Sequence, residues 1–260
     1  MANTRTPFSN RLNTTIPALE NQSAYRLGTW IARGNSTTID AIGMLPPTAV
    51  GTATARNWAN TSILTRTKRL GYVSASGSTG QLTEAYGAGL QFCGGTATDG
   101  GIIFQTIFAI TDGATVSGAR FFAGMAGTAS ALTNAEPTAR TNCIGVAQIA
   151  ADTNMRLIWN DGSGTASSID LGANFPMTAD NIYEFGFVWQ PGATTVQWSV
   201  YKVNGDVAGA AENTFFASGE LTADLPALTQ GLAPHVFRTN NAQTAAVAFD
   251  LAVLNVGSYL

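Results

Sequence analysis

The chain has 260 residues, of which 45% are hydrophobic and 11% are charged, and its net charge is −3. This hydrophobic content can bury a large core, which excludes a wholly disordered chain, and no stretch approaches the ~20 apolar residues of a membrane-spanning helix. The charged fraction is well below the usual ~25%, so small and polar uncharged residues must cover much of the surface, as suits a packed assembly.

Charge is divided unevenly along the chain. Residues 1–69 contain eight Lys/Arg and two acids, a net charge of +6, whereas residues 70–260 contain five bases and fourteen acids, a net charge of −9. This division predicts that the two parts meet different partners. Nucleic acid is not favoured as a partner, because the bases are scattered singly except at Arg66, Lys68 and Arg69, without interleaved aromatic residues.

Residues 1–69 are rich in Thr, Asn and Arg and show weak hydrophobic periodicity. We predict that they form an extended N-terminal arm with one or two short strands, outside a domain of residues 70–260. Its first nineteen residues lack the apolar core of a signal peptide, which predicts synthesis in the cytoplasm of the producing cell. The arginines expected to bind a partner are Arg5, Arg11, Arg26 and Arg33.

From residue 70 onward, short apolar runs alternate with Gly, Asn, Asp and Pro. In the run Gly101–Thr111 both faces are largely apolar, which is typical of a strand covered on both sides. The other predicted strands, apart from those of residues 182–211, are 69–75, 90–93, 119–125, 143–149, 154–159, 234–238 and 245–256.

A hairpin with one aromatic face is predicted between residues 182 and 203. Tyr183, Phe185, Phe187 and Trp189 alternate with smaller residues, and the turn at residues 191–194 leads into a second strand. Asn204-Gly205 is a strong signal for a type I′ turn, so a third strand is expected to end at about residue 211. The regular strand spacing and the lack of a long amphipathic helix predict an all-β, two-sheet antiparallel sandwich or jelly roll.

The residues that could carry chemistry are few. His235 is the single histidine and is followed by a predicted strand, so we interpret it as structural. Glu184 and Asp250 are the acids placed within strands, and no second acid two or four residues away is expected on the same strand face. The acids beside Gly, Asn or Thr, including Asp112, are explained by turns. No cofactor and no metal site is predicted, and the chain is not expected to be an enzyme.

Two further residue types leave alternatives open. Cys93 and Cys143 lie in apolar stretches, and buried free thiols are favoured over a disulfide in a reducing compartment. Aromatic side chains could stack against a sugar or fill the core, and the core is favoured. Trp159 and Tyr201 are the better candidates for exposure and contact with a glycan.

Several segments resemble structural proteins of tailed bacteriophages that carry a concanavalin-like jelly-roll domain. They cover most of residues 65–260 in the same order, none is a catalytic motif, and residues 1–64 are not clearly covered. The segments are TRTKRLGYVSA (65–75), SGARFFAGMAG (117–127), TNCIGV (141–146), ADTNMRLIWNDGSGTASSIDLGANFP (151–176), Tyr183–Gly192 and FRTNNAQTAAVAFDLAVLNV (237–256).

The resemblance implies a component of head fibres, tail fibres or capsid decoration, commonly a homotrimer, but it transfers no active site. The predicted function is that of a non-enzymatic virion protein, anchored to capsid or tail proteins by its arm and displaying the sandwich for host-surface attachment. On this view, removing residues 1–40 leaves a folded domain that no longer joins the particle. The alternatives are a carbohydrate-binding lectin module and a polysaccharide hydrolase, although the metal-binding acids of glycan-binding lectins are not found.

Overall fold

The computed structural model describes residues 25–33, 36–61, 64–179, 181–203 and 215–259. Within them, sixteen strands form two antiparallel sheets, and short 3-10 helices lie at Leu64–Arg66 and Pro137–Ala139. The predicted all-β, two-sheet sandwich is therefore confirmed. None of the described helices is long and apolar enough to cross a membrane.

The larger sheet has nine strands, and its longest strand, β16 (Ala248–Tyr259), lies near its centre. One edge of β16 pairs with β7 (Gly100–Ile110), and the other edge has two partners, β5 (Arg69–Val73) and then β1 (Tyr25–Ala32). The remaining strands are β12 (Ile182–Trp189), β13 (Val196–Lys202) and β14 (Phe215–Leu221) beyond β7, β2 (Ile39–Ile42) beside β1, and β4 (Thr52–Arg56) beside β5.

The smaller sheet has seven strands, and consecutive strands are neighbours along half of it. From edge to edge its strands are β11 (Ser167–Asp170), β10 (Arg156–Asn160), β9 (Cys143–Gln148), β8 (Arg120–Ala126), β15 (Ala233–Thr239), β6 (Leu82–Tyr86) and β3 (Thr48–Val50).

The main core lies between the two sheets and is rich in aromatic residues. The predicted alternation in β12 directs Tyr183, Phe185, Phe187 and Trp189 into this core. Phe108 of β7 meets Phe121 of the opposite sheet with ring centroids 4.7 Å apart. Contacts of this kind join the sheets, because aromatic pairs add about 0.5–1.5 kcal/mol to the free energy of burial.

Two predicted strands differ from those observed. The strand that follows β13 is Phe215–Leu221, later than expected, and Phe215 pairs directly with Lys202. Twelve residues, 203–214, therefore lie in sequence between the paired residues Lys202 and Phe215. The turn predicted at Asn204-Gly205 lies outside the described residues. Residues 90–93 form no strand, because Phe92 makes only an isolated bridge to Leu232.

The described part of the expected arm differs from the expectation of a segment outside the domain. β1 pairs with β16 over six residues, and Trp30 of β1 is only 2% exposed within the main core. Residues 25–69 supply four strands to the two sheets, so they are built into the sandwich rather than lying beside a domain of residues 70–260. We expected that a chain lacking residues 1–40 would still fold. That expectation does not fit the structure, because the deletion would remove β1 and with it a strand of the nine-stranded sheet.

Replacing Trp30 with Ala should test this integration. We expect Trp30→Ala to lower the free energy of unfolding by about 3–5 kcal/mol, because it leaves a cavity in the shared core. Trp58, which is 66% exposed and donates a hydrogen bond to the Arg66 carbonyl, provides the control, and its replacement by Ala should cost less than about 1.5 kcal/mol. Equal losses in urea unfolding of the two variants would contradict the placement of β1.

Candidate functional site

The arginines expected to bind a partner are not gathered into one patch. Arg26 donates from Nε to the Gly43 carbonyl at 2.9 Å, and its guanidinium lies 5.9 Å from the centroid of the Phe92 ring. Arg33 binds Asp40 across the β1–β2 pair with two hydrogen bonds of 2.6 Å, and this bonding lowers the pKa of Asp40. Arg5 and Arg11 lie outside the described residues.

The two aromatic residues expected to contact a glycan lie on different sheets. Trp159 of β10 is half-buried and donates its indole N–H to the Ala223 carbonyl at 2.9 Å. Tyr201 of β13 is only 5% exposed, because Phe216 of the neighbouring strand lies opposite it with ring centroids 4.7 Å apart. They form no common stacking platform, and the expectation that Tyr201 is exposed is wrong.

A shallow depression of about 290 Å³ lies between the β12–β13 turn and residues 222–228. No charged residue lines it, and Thr194 and Thr222 contribute hydroxyl groups, whereas the indole N–H of Trp189 is engaged by the Ala193 carbonyl. Trp159 Nε1 donates a hydrogen bond to the Ala223 carbonyl, and Ser167 Oγ donates one to the Asp224 carboxylate, so these bonds hold the segment of residues 222–228 beside the depression. The lining residues are Trp189, Ala193, Thr194, Thr222, Ala223, Leu225, Pro226, Ala227 and Leu228.

The single histidine lies beneath a loop of residues 127–142, which we call the covering loop. This loop connects β8 to β9 and packs on the outer face of the seven-stranded sheet, where Leu132 joins an apolar cluster with Phe122 and Phe237. His235 and Glu84 lie below it and are fully buried, with Nδ1 2.7 Å from Glu84 Oε1. The interpretation of His235 as a structural residue agrees with this position.

The hydrogen bonds of this pair engage both ring nitrogens and both carboxyl oxygens. His235 Nε2 lies 2.9 Å from the Thr128 carbonyl, and Glu84 Oε2 accepts the Leu132 N–H at 2.8 Å. Both ring nitrogens therefore have an oxygen partner, so no polar atom of the imidazole is left unbonded in the interior.

Two further buried carboxylates bind arginines. Asp112 accepts two bonds from Arg238 and the backbone N–H of Ala248, which links the seven-stranded sheet to β16. Asp250 accepts from Arg56 Nε at 2.9 Å and Arg69 Nε at 2.8 Å. Each carboxylate satisfies backbone or side-chain donors that would otherwise be buried without partners, which is a structural role.

Sequence reasoning missed Glu84 and did not predict the burial of Asp112. The available signal for Glu84 was the alternation within Leu82–Tyr86, in which Ala85 faces the core and Glu84 the opposite face. Asp112 follows β7 in a connection, as expected, but its partner Arg238 is distant in sequence. Across the described ranges, no group of three or more His, Cys, Asp or Glu side chains could hold a metal ion.

The arrangement shares its fold with lectin-like proteins of concanavalin type. A protein of unknown function from Shewanella oneidensis MR-1 superposes with a TM-score of 0.55 at 10% identity, covering 91% of this chain and 87% of that one. Arcelin-5, a lectin-like defense protein from Phaseolus vulgaris, gives 0.51 at 8% identity, covering 90% and 97%. Peanut lectin gives 0.52 at 9% identity, covering 90% and 96%.

No protein-family model matches the sequence, and no curated protein matches it. The structural likeness at this level of identity shows the fold alone.

Replacing Glu84 separates hydrogen bonding from charge. Glu84→Gln can still accept from Leu132 and donate to His235 Nδ1, so we expect a loss of at most about 1 kcal/mol in the free energy of unfolding. Glu84→Ala leaves buried groups unpaired and should cost about 3 kcal/mol. The exposed Glu220→Ala is the control and should stay within about 0.5 kcal/mol of wild type. If urea unfolding gave equal losses of unfolding free energy for Glu84→Gln and Glu84→Ala, the hydrogen bonds of Glu84 would not account for its contribution to stability.

The two thiols should differ strongly in reactivity. Both cysteines are free, Cys93 is half-buried, and burial raises the pKa of Cys143 to about 12. Because the thiolate is the reactive form, iodoacetamide at pH 8 should modify Cys93 in the folded protein and Cys143 only after unfolding. Mass spectrometry of the native protein and of a Cys93→Ala variant checks this, and rapid native labelling of that variant would contradict it.

Proposed function

We propose that this chain is a non-enzymatic structural protein of a bacteriophage virion, a fibre or capsid-decoration component that displays its lectin-like sandwich. The observation that carries the proposal is the placement of Glu84, Asp112, His235 and Asp250, which are buried and bound to structural partners. A sandwich organised in this way acts through its surface. The resemblance of residues 65–260 to phage structural proteins supplies the virion setting.

The absence of a catalytic role is part of this proposal. General acid–base catalysis needs a titratable group within reach of a substrate. His235 and Glu84 lie beneath the covering loop with their polar atoms already bonded. This geometry supports a structural pair more than an acid–base pair.

We assign the anchoring role to residues 1–24, because the described part of the expected arm belongs to the sandwich. Arg5 and Arg11 are the cations of this segment, and acidic groups on a capsid or tail protein are the partners that their charge favours. Arg33 is less suited to this role, since Asp40 already neutralises it. The trimer implied by the resemblance stays a prediction.

A second candidate function is attachment to an uncharged host glycan, and the depression beside Trp189 is the observation that favours it. Its lining is mainly apolar, includes Thr194 and Thr222, and contains no charged residue. A neutral sugar combines an apolar ring face with hydroxyl groups and matches this lining.

Incorporation into particles tests the virion proposal. Phage particles should be produced in cells that also express tagged full-length chain or tagged chain lacking residues 1–24. We expect mass spectrometry and immunogold microscopy to detect the full-length chain on purified particles. The shortened chain should retain its unfolding temperature but be absent from them.

Neither chain on the particles would contradict the virion role, and equal incorporation would contradict the anchoring role of residues 1–24. Two measurements on the full chain address the alternatives. Saturable quenching of tryptophan fluorescence by neutral host polysaccharide would support the glycan site. Release of reducing ends from the same material would contradict the non-enzymatic proposal.

A further inference from the structure

Aspartate followed by glycine occurs at three places in the chain, Asp99-Gly100, Asp112-Gly113 and Asp161-Gly162. In such a pair the backbone nitrogen of the glycine can attack the carboxyl carbon of the aspartate side chain, because glycine has no Cβ that hinders the approach. The product is a five-membered succinimide ring. The structure places the three carboxyl groups in different surroundings, so the reactivities of the three pairs should differ.

Two of the pairs hold their carboxyl groups in other hydrogen bonds. Asp99 Oδ1 accepts the backbone N–H of Thr96 at 3.1 Å and its hydroxyl at 2.6 Å, and these bonds lower the pKa of Asp99. The lowered pKa leaves less of the protonated acid from which water can be expelled. Asp112 is buried and accepts hydrogen bonds from Arg238 and from the backbone N–H of Ala248. Attack on either carboxyl group must first break these bonds.

The carboxyl group of Asp161 is instead folded forward over its own glycine, in the connection from β10 to β11. Its Oδ1 accepts the backbone N–H of Ser163 at 2.8 Å and the Ser163 hydroxyl at 3.0 Å. Gly162 and Ser163 are exposed, and the Gly162 N–H donates to no backbone acceptor among the described residues. A Cβ added at Gly162 would lie 3.7 Å from its nearest neighbour, so the attacking nitrogen has open space around it.

We propose that Asp161-Gly162 is a site of spontaneous backbone isomerisation, at which the folded chain forms a succinimide and then isoaspartate. The Gly162 nitrogen bonds to Cγ of Asp161, and its proton leaves with the hydroxyl of the protonated carboxyl group as water. A second water then adds to one carbonyl of the ring, and the bond between that carbonyl and the nitrogen breaks. Breakage at the main-chain carbonyl gives isoaspartate, and breakage at the side-chain carbonyl restores aspartate.

Hydrogen-bond donors lie at both carbonyl groups that react. The two donors of Ser163 meet the oxygen on which negative charge develops when the nitrogen attacks Cγ, and such donors stabilise the charge. The main-chain carbonyl of Asp161 accepts the Asn142 N–H at 2.6 Å, which polarises the carbonyl whose hydrolysis gives isoaspartate. Isoaspartate adds one methylene to the backbone at the point where the end of the covering loop is bonded. The inference does not depend on a place in a virion.

The full-length chain should be kept for several weeks in mildly acidic buffer, folded or unfolded in urea. Peptide mapping with electron-transfer dissociation distinguishes isoaspartate from aspartate and locates it, so deamidation at Asn204 is recognised separately. In urea the three Asp-Gly pairs should convert at comparable rates, because the structure that distinguishes them is lost. In the folded chain we expect Asp161 to convert at least about tenfold faster than Asp99 or Asp112, since only its reacting groups are held together.

Two variants test the contribution of the serine hydroxyl. Ser163→Ala removes one donor and should slow native conversion about fivefold, which is the effect of a single hydrogen bond. Thr165→Ala changes an exposed residue of the same connection and should leave the rate unchanged. Unfolding temperatures verify that both variants fold.

Comparable conversion of all three pairs in the folded chain would overturn the inference, because the structure would then not select Asp161. So would the lack of isoaspartate at Asp161 in the folded chain when the unfolded chain converts. Equal rates for Ser163→Ala and Thr165→Ala would contradict the assistance by Ser163.

Discussion

Burial of charged side chains is the constraint on which the architecture depends. A carboxylate removed from water is stable only with close donors, and breaking such a pair costs several kcal/mol. The pairs of Glu84, Asp112 and Asp250 lie where a connecting segment meets a sheet. Glu84 and His235 hold the covering loop, Asp112 and Arg238 join the two sheets at one end, and Asp250 holds β4 and β5 through their arginines.

These same bonds engage the polar atoms of the buried titratable groups. The chain has a single histidine, and that residue is fully buried with both ring nitrogens engaged. Glu84, Asp112 and Asp250 are matched by partners in the interior, and exposed charges such as Lys68 and Glu220 are scattered over a surface rich in small polar residues. The buried pairs therefore account for the stability of the sandwich, and the function of the chain must be sought in its surface groups.

Local patterns predicted the strands whose neighbours lie close in sequence. The alternation of β12 and β13 and the apolar run of β7 specify buried strands directly, and the sandwich follows from their spacing. The placement of β1 depends on pairing with β16, more than 200 residues away, and nothing within its own Thr- and Arg-containing sequence specifies that partner. The large apolar side chain of Trp30 could have indicated a buried strand. The polar residues around it instead favoured the prediction of an arm. The burial of Tyr201 likewise depends on Phe216, which belongs to a strand that sequence reasoning placed too early.

Apolar side chains on the outer faces of the two sheets are covered to different extents. On the seven-stranded sheet, the covering loop supplies Leu132, and Arg140 lies 4.9 Å from the centroid of the Phe237 ring, so this face is closed within one chain. On the nine-stranded sheet, residues near Leu64 cover Ala109 and Ile182, whereas Leu27 and Ile42 remain exposed. A sheet needs an apolar layer where its own side chains are apolar. Among the described residues, every residue of β12 is buried on both faces of the nine-stranded sheet, whereas the β1–β2 end keeps exposed apolar side chains, so the covering of this outer face is uneven.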